Sequence, residues 1–512
     1  MKSNWFMGKM SVKAFCVLCL SIVSLYFLWT MLYKVYDTDL YFIVASGREI
    51  IKNGFLYKNI WSIDGGAIVI QQWLYAVILA YVDRFGFIGY LLCFICQVSI
   101  LCVLFWRFFA RYSMKTSFRI FCMFVILMLY QAYLFSLRPE LLTIILLISE
   151  CLALERYTDT GSAKWLSLLP VLMLIEINAH GTMWFLHYAL LLAYVMPNVL
   201  HTKCVDNHIS LRDGKLWLAV LGMTVCLFAN PYGMDMITYT VKAFRSHVFD
   251  YIYVNEVNPP EFLSVYSVGI FLSIVLCIAA YKVDVLRLVT LYVSIGLLFL
   301  AALYIRNNAF VTIVMLFVLR DLISSEVLQT RLCTINWQKD VLNYLYIVLG
   351  IIALFLFCAV GRGLTVLWPT TLYSNGAIFT EMDQYIRDHG NVETDRVFTG
   401  FNTGAFFEYC GYRNVYMDAR PELYSKMFNG TKDVLVDYSK YCCSGGNRRN
   451  IDDIVSKDAM NEWFRSYDFD YVVVSVFTET YLHGYLDHAS NYRLVPEASD
   501  NMYFLYEKVG PS

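Results

Sequence analysis

Two carboxylates one residue apart stand directly behind the first long apolar stretch, in Tyr36-Asp37-Thr38-Asp39-Leu40. A carboxylate within hydrogen-bond reach of a hydroxyl can take its proton while the oxygen attacks, so either Asp37 or Asp39 could serve as a general base. Such chemistry also needs a receiver for the leaving group. The planar fork of a guanidinium suits a phosphate, and a preorganised positive charge or a divalent metal would stabilise it as it departs. Arg138 (in Arg138-Pro139-Glu140), His180 (in Asn178-Ala179-His180-Gly181) and Arg306 (in Arg306-Asn307-Asn308) are the candidate receivers. Glu140, Asn178, Asn230 and Tyr232 (in Asn230-Pro231-Tyr232-Gly233), Glu256 and Trp73 complete the set, each beside the end of an apolar run. No spacing among them specifies a particular metal.

Each residue also has a structural explanation. Asp39 could cap a helix starting at Leu40, which makes Asp37 the first choice of base. His180 could be a satisfied packing histidine, Glu140 a structural partner of Arg138, and Asn230-Pro231-Tyr232-Gly233 a helix-ending turn.

The elements that would position these residues follow from composition. The chain has 512 residues, 59% hydrophobic and 16% charged, with a formal net charge of -1. That excludes an ordinary soluble protein and any bulk basic surface for nucleic acid. The cysteines lie mostly inside apolar runs, so no disulfide framework is expected. Basic residues Lys2, Lys9 and Lys13 precede an apolar stretch over 14–33 with no small-residue cleavage site, an uncleaved signal anchor with a cytoplasmic N-terminus. Further spans are expected at 87–107, 118–136, 139–156, 164–177, 182–199, 215–229, 264–281, 286–304, 307–320 and 341–361, about eleven in all.

The run over 71–82 is short for a span. Keeping it outside leaves a long exterior loop over 35–86 and places most of the basic loops in the cytoplasm, the positive-inside arrangement of a bacterial plasma-membrane protein. Every candidate residue except Trp73, which lies in that loop, then falls at the exterior end of a span. Ionisable groups at such depth face a bundle interior or a wet cavity, so the convergence predicts one polar cavity under the first loop. Within that loop, Leu40, Ile43, Val44, Gly47, Ile50 and Ile51 share one helical face and Gly54 ends the pattern, which reads as an interfacial amphipathic helix. A turn at Trp61-Ser62-Ile63-Asp64-Gly65-Gly66 and a second interfacial helix opening at Gln72-Trp73-Leu74 follow.

This order of motifs resembles the GT-C superfamily of polyprenyl-phosphate-sugar-dependent glycosyltransferases, and more closely a bacterial subgroup of multi-pass proteins. The matching pieces are Asp37-Thr38-Asp39-Leu40-Tyr41-Phe42 with Gly47-Arg48, Gln72-Trp73-Leu74, Arg138-Pro139, Asn178-Ala179-His180-Gly181, Asn230-Pro231-Tyr232-Gly233 and Asp418-Ala419-Arg420. The chain departs by carrying Glu176 two residues before Asn178, where the subgroup often has Trp. The resemblance implies a first-loop carboxylate acting on an acceptor hydroxyl. It also implies a polyprenyl-phosphate sugar as donor, and a glycan, lipid or protein as acceptor.

The C-terminal part is different in kind. Charge rises from residue 362, and apolar runs at 396–399, 415–418 and 471–475 read as strands between helical patterns at 378–389, 451–467 and 481–488. A closing strand pair is expected at 492–495 and 502–506. Alternating strands and helices argue a small extracytoplasmic α/β domain over 362–512, behind a helical transmembrane domain over 1–361. Asp418 and Arg420 would end a strand, where such sheets bind ligands; a structural salt bridge is the plainer alternative. No Walker motif, dinucleotide fingerprint or Ser/His/Asp order is present. Two readings remain: a glycosyltransferase using a lipid-linked sugar, and a non-enzymatic transporter or flippase of lipid-linked saccharide. A transporter of this size is expected to show internal repeats, and none is visible.

Overall fold

The computed structural model describes residues 38–110, 122–123, 126, 137–245, 248, 254–262, 264–324, 370–443 and 455–510. Asp37, the expected spans at 14–33 and 341–361, and the one at 118–136 apart from residues 122, 123 and 126 lie outside the described residues. The chain is mainly helical with one small sheet. The first part comprises α1 (Thr38–Asn53), α2 (Trp73–Val82), α3 (Gly86–Phe109), α4 (Pro139–Thr160), α5 (Leu168–Ala179), α6 (Trp184–Val195), α7 (Gly214–Leu227), α8 (Met234–Arg245), α9 (Val265–Lys282), α10 (Leu288–Leu303) and α11 (Val311–Ser324).

Helices thus occupy the other eight expected positions. Two described helices are long and apolar enough to cross a membrane, Trp73–Phe109 and Ile305–Ser324. Several others are apolar but shorter, and α4, although it has 22 residues, carries Glu140, Glu150 and Glu155. The expected count of eleven spans therefore does not stand on the described helices. The expected separation of α2 from α3 is a bend. The two are joined by a 3₁₀ turn over Asp83–Phe85, and Gly86 takes the left-handed φ of 57° that lets the path swing.

α1 does not lie as an open amphipathic helix at an interface. Leu40, Phe42, Ile43, Val44, Ala45 and Ile50 are all buried, so apolar residues are covered on both faces. α2 covers one face, and the C-terminal helix α13 (Gly404–Cys410) packs on α1 as well. Gly47 permits the α1–α2 crossing, since a Cβ there would stand 2.0 Å from the Ala76 carbonyl oxygen. Arg48, at the rim, pairs with Asp83, and its guanidinium lies 4.2 Å from the Tyr409 ring centre.

The C-terminal part of the chain adds α12 (Thr370–His389), β1 (Val397–Phe398), α14 (Val434–Tyr441), α15 (Lys457–Tyr467), β2 (Tyr471–Ser475), α16 (Thr480–Leu486), β3 (Tyr492–Leu494) and β4 (Tyr503–Lys508). The strand order is β1-β2-β4-β3, with β1 parallel to β2 and the other pairs antiparallel. β2 is buried along its whole length, which is why Tyr471-Val472-Val473-Val474-Ser475 reads as a continuous run rather than an alternating one.

The strand expected at 415–418 is a single bridging residue instead. Val415 bridges Val397 of β1 on one side and Ser62 of the first loop on the other. Its N–H donates to the Trp61 carbonyl at 2.8 Å, and its carbonyl accepts from Ile63 N–H at 3.0 Å. The first loop is therefore stitched onto the edge of the sheet. Trp61 is buried at this seam, which contributes on the order of 3 kcal/mol. The Asp64 carboxylate accepts from the Tyr467 hydroxyl at 2.9 Å. The Ala67 N–H donates to the Asn429 carbonyl, while the Asn429 side chain donates to the Leu423 and Lys432 carbonyls at 3.1 and 2.9 Å.

The α1–α2 crossing gives a stability prediction. Gly47→Ala forces backbone apart and should cost about 1–3 kcal/mol. Gly296→Ala, in α10 with open space around it, should be neutral or stabilising by up to about 1 kcal/mol. Thermal unfolding of the two variants in detergent checks this; equal midpoints would mean that the crossing has slack.

Candidate functional site

α1 begins at Thr38, so Asp39 lies inside the first turn rather than at a cap before Leu40. Its carboxylate reaches Arg138, the residue before Pro139 at the start of α4, with Nη2 and Oδ2 3.3 Å apart. Proline at the first helical position fixes where α4 starts and leaves Arg138 extended at its mouth. A second carboxylate, Glu256, approaches the same guanidinium at 3.1 Å. Arg306, in a 3₁₀ turn leading into α11, donates to Glu140 at 2.7 Å. Glu140 therefore pairs with Arg306, not with Arg138.

Asp39, Arg138, Glu256 and Arg306 line one cavity of about 280 Å³. Gln71 and Gln72 of the first loop contribute to its wall, as does Tyr239 of α8, and the C-terminal part of the chain supplies Phe401, Asn402, Arg420 and Glu422. The roof is thus a separate part of the chain from the floor. Arg420 is held from behind by Asp418 and Glu408, and its guanidinium sits 4.8 Å from the Phe42 ring centre and 5.4 Å from that of Trp61. The Asp418–Arg420 contact is therefore a buried ion pair at the cavity edge. Burial opposes the Asp418 charge, but Arg420 outweighs it and holds this carboxyl below the usual range. Glu408, equally buried and beside the Asp418 charge, is pushed up.

The remaining candidates lie elsewhere. His180 does not line the cavity; it is buried, its Nδ1 2.8 Å from Thr143 Oγ1. Trp73, Asn178 and Asn230 line a different, mostly apolar groove of about 640 Å³ with Leu174, Phe228 and Pro231. There Trp73 Nε1 donates to Asn178 Oδ1 at 2.8 Å, and Asn178 donates on to the Ala229 carbonyl at 3.0 Å. Asn230 closes a turn by donating to the Leu227 carbonyl and accepting from Tyr232 N–H, while Tyr232 packs edge-on against Phe55 and Tyr57. These four residues shape the neighbourhood without facing the cavity. Sequence position places a residue at a helix end but does not tell which way round the helix it points. Gln71, Tyr239, Asn402 and Glu422 carry no such signal at all; only the folded chain brings them in.

Among the described residues, no three His, Cys, Asp or Glu side chains converge as a divalent ion would require. Asp39 and Glu256 converge on the Arg138 guanidinium instead. Among the described residues, Asp39 and Glu256 are thus engaged by a cation of the protein itself rather than grouped as metal ligands.

No known protein-family profile and no curated protein matches the sequence. Among solved structures the chain is similar to the oligosaccharyltransferase of Archaeoglobus fulgidus, solved with a tethered acceptor peptide containing an NVT sequon. The identity is 10% and the TM-score 0.51, over 96% of this chain and 74% of that one. That enzyme is a GT-C superfamily member, so the fold implied by the motif order is the fold found.

Glu422 gives a prediction about pH. Burial pushes its carboxyl up, with the Tyr239 hydroxyl at 2.6 Å offsetting part of the shift. A raised carboxyl keeps its proton in the folded state after the unfolded chain has lost it, so stability falls as pH rises through that window. Glu422→Gln removes this share. Its melting temperature should fall less than that of the parent between about pH 4 and about pH 7; identical slopes in a thermal scan would refute the assignment.

Proposed function

We propose that this protein is a membrane-embedded glycosyltransferase of the GT-C kind, moving a sugar from a polyprenyl-phosphate carrier to an acceptor on the extracytoplasmic face. The observation that carries the reading is the cavity in which one aspartate and three guanidinium groups, of Arg138, Arg306 and Arg420, share a wall. It lies at the end of a helical bundle and under a separate domain, so a carrier in the bilayer and an acceptor outside it can meet there.

Asp39 is the base on this reading, because its carboxylate lines the cavity. The acceptor lone pair forms a bond to the anomeric carbon, and its proton passes to Asp39. The bond from that carbon to the phosphate oxygen breaks, and its electron pair leaves with the phosphate. Arg138 and Arg306 are the phosphate receivers, with Arg420 closing from the roof. Asp39 and Glu256 both neutralise Arg138. An arriving phosphate competes for that guanidinium, and the carboxylate it displaces is the one freed to take a proton. The acceptor can be a glycan, a lipid or a protein; the fold likeness to an enzyme solved with an acceptor peptide adds weight to the last.

Asp39→Asn removes the proton acceptor at constant size and should lower sugar transfer by about 10²–10⁴-fold, while Arg138→Gln should act mainly on the donor KM. Asp37→Asn, assayed beside them, tells which aspartate is the base. The measurement is transfer from a polyprenyl-phosphate sugar in reconstituted membranes. Full transfer by both aspartate variants would remove the carboxylate mechanism. Movement of lipid-linked saccharide across the bilayer, with no transfer, would replace the enzyme by a flippase.

A further inference from the structure

Within the bundle runs a second set of ionisable side chains that the transfer step does not use. Thr143 and Glu150 come from α4, Glu176 from α5 and His187 from α6, and all four are fully buried; His180, beyond the end of α5, is 4% exposed. Thr143 Oγ1 lies 2.8 Å from His180 Nδ1 and 2.7 Å from Glu176 Oε1. The other Glu176 oxygen faces His187 Nε2 at 3.6 Å, and His187 Nδ1 contacts Glu150. Glu150 Oε1, Glu176 Oε2 and His187 Nε2 are buried without a hydrogen-bond partner. The five groups form one chain inside the bundle, with His180 at its least buried end.

A second buried network shows what a purely structural cluster looks like in the same bundle. Glu155 and Asp321 are matched by Arg320 and Arg287, with Arg320 Nε 2.8 Å from Asp321 and Arg287 Nη1 3.4 Å from Glu155. Tyr194 and Thr290 complete it, and none of its buried side-chain atoms is left without a partner. Two fixed cations balance two carboxylates, and arginine does not release its proton. The upper chain has two carboxylates and no arginine. With neutral imidazoles it would carry two uncompensated charges in a dry interior, which is expensive. Among the described residues no arginine or lysine pairs with either carboxylate, so protons on these groups balance it.

We propose that His180, Thr143, Glu176, His187 and Glu150 form a buried proton relay that takes up protons at His180. The hydroxyl of Thr143 has one hydrogen, so its two contacts define two states. In the first, Thr143 donates to the Glu176 carboxylate, His180 donates from Nδ1, and His180 Nε2 holds a lone pair. A proton arriving at Nε2 makes an imidazolium. The Nδ1 proton then passes to Thr143 Oγ1, and the Thr143 proton passes to Glu176. In the second state Glu176 is a neutral acid and His180 carries its hydrogen on Nε2. One proton has moved inward and no charge is left over on the ring. Glu140 and Arg306 stand within electrostatic reach of His180, and Glu140 and Glu176 act on it in opposition to Arg306. Around Glu150 the facing groups are His187, Glu176 and, from α6, Tyr188, with Cys151 adjacent on α4. The use of the relay in sugar transfer, to clear the proton released by each acceptor, rests on the function proposed above; its existence does not.

The test uses the full chain in lipid nanodiscs. Infrared difference spectra across a pH step should show a protonated-carboxyl band that Glu176→Gln or Glu150→Gln removes, and whose response Thr143→Val suppresses at nearly constant side-chain volume. In parallel, the pH profile of sugar transfer in Thr143→Val should shift by about one unit, a tenfold change in proton affinity, with donor KM within about twofold. The same carboxyl band in the parent and in both Gln variants would overturn the relay, whether or not transfer is detected. An unshifted profile in Thr143→Val would overturn its service to the reaction. The expected spectra without sugar transfer in any protein would leave the relay standing and sink the glycosyltransferase reading.

Discussion

The pairing of Arg138 with two carboxylates is the constraint around which the cavity is organised. Asp39 comes from the first turn of α1, Arg138 from the mouth of α4, and Glu256 from the segment before α9. A partly buried guanidinium is tolerable only where several acceptors surround it, and no one of these elements could supply them alone. Satisfying that cation therefore requires three distant stretches of chain to meet at one end of the bundle. Arg306 with Glu140, and Arg420 with Asp418 and Glu408, repeat the solution at two more points of the rim. The outcome is a cavity whose positive groups are each already engaged, so an incoming anion enters by exchange rather than into a vacancy. Exchange favours ligands that present several oxygens together, as a phosphate does.

Much of this was legible in the sequence, for a physical reason. Asp39, Arg138, Glu256 and Arg306 each interrupt or bound an apolar run, and a charge in such a place has few destinations other than a shared polar space. Trp73, Asn178 and Asn230 stand at equivalent heights but face a different groove, and Tyr232 packs on Phe55 and Tyr57, because height follows from apolar length whereas azimuth depends on packing. Asp39 was open to misreading as a cap because the start of α1 differs by only two residues from the expected one, within the usual uncertainty of a helix end. The covered outer face of α1 was invisible, since its cover is supplied from more than 350 positions away, by the segment around Tyr409. For the same reason a Glu in the 421–424 turn or an Asn at 402 gave no hint of its place in the roof.

The buried Glu and His residues teach a complementary lesson. Glu150, Glu155, Glu176, His187 and Arg320 are all visible as ionisable groups inside apolar runs, yet the sequence does not say which of them have arginine partners. The two networks differ in just that respect, and the difference separates a clamp from a chain of exchangeable protons. Glu176 is also where the chain departs from the motif pattern it otherwise resembles, and it is the residue at the centre of the upper network.

Asn429 begins an Asn-Gly-Thr triplet, which is a recognisable glycosylation signal in chains that are exported. In the folded protein its amide is spent on two carbonyls, its own carbonyl holds Ala67, and a Cβ on the facing Gly66 would lie 2.7 Å from the Asn429 Cβ. A sugar at this position cannot coexist with the docked first loop. In a compartment where such triplets are modified, folding and modification would thus compete for the same asparagine, and the winner would decide whether the roof ever closes over the cavity. The maturation of this protein is, at that residue, a race in which order rather than affinity sets the yield.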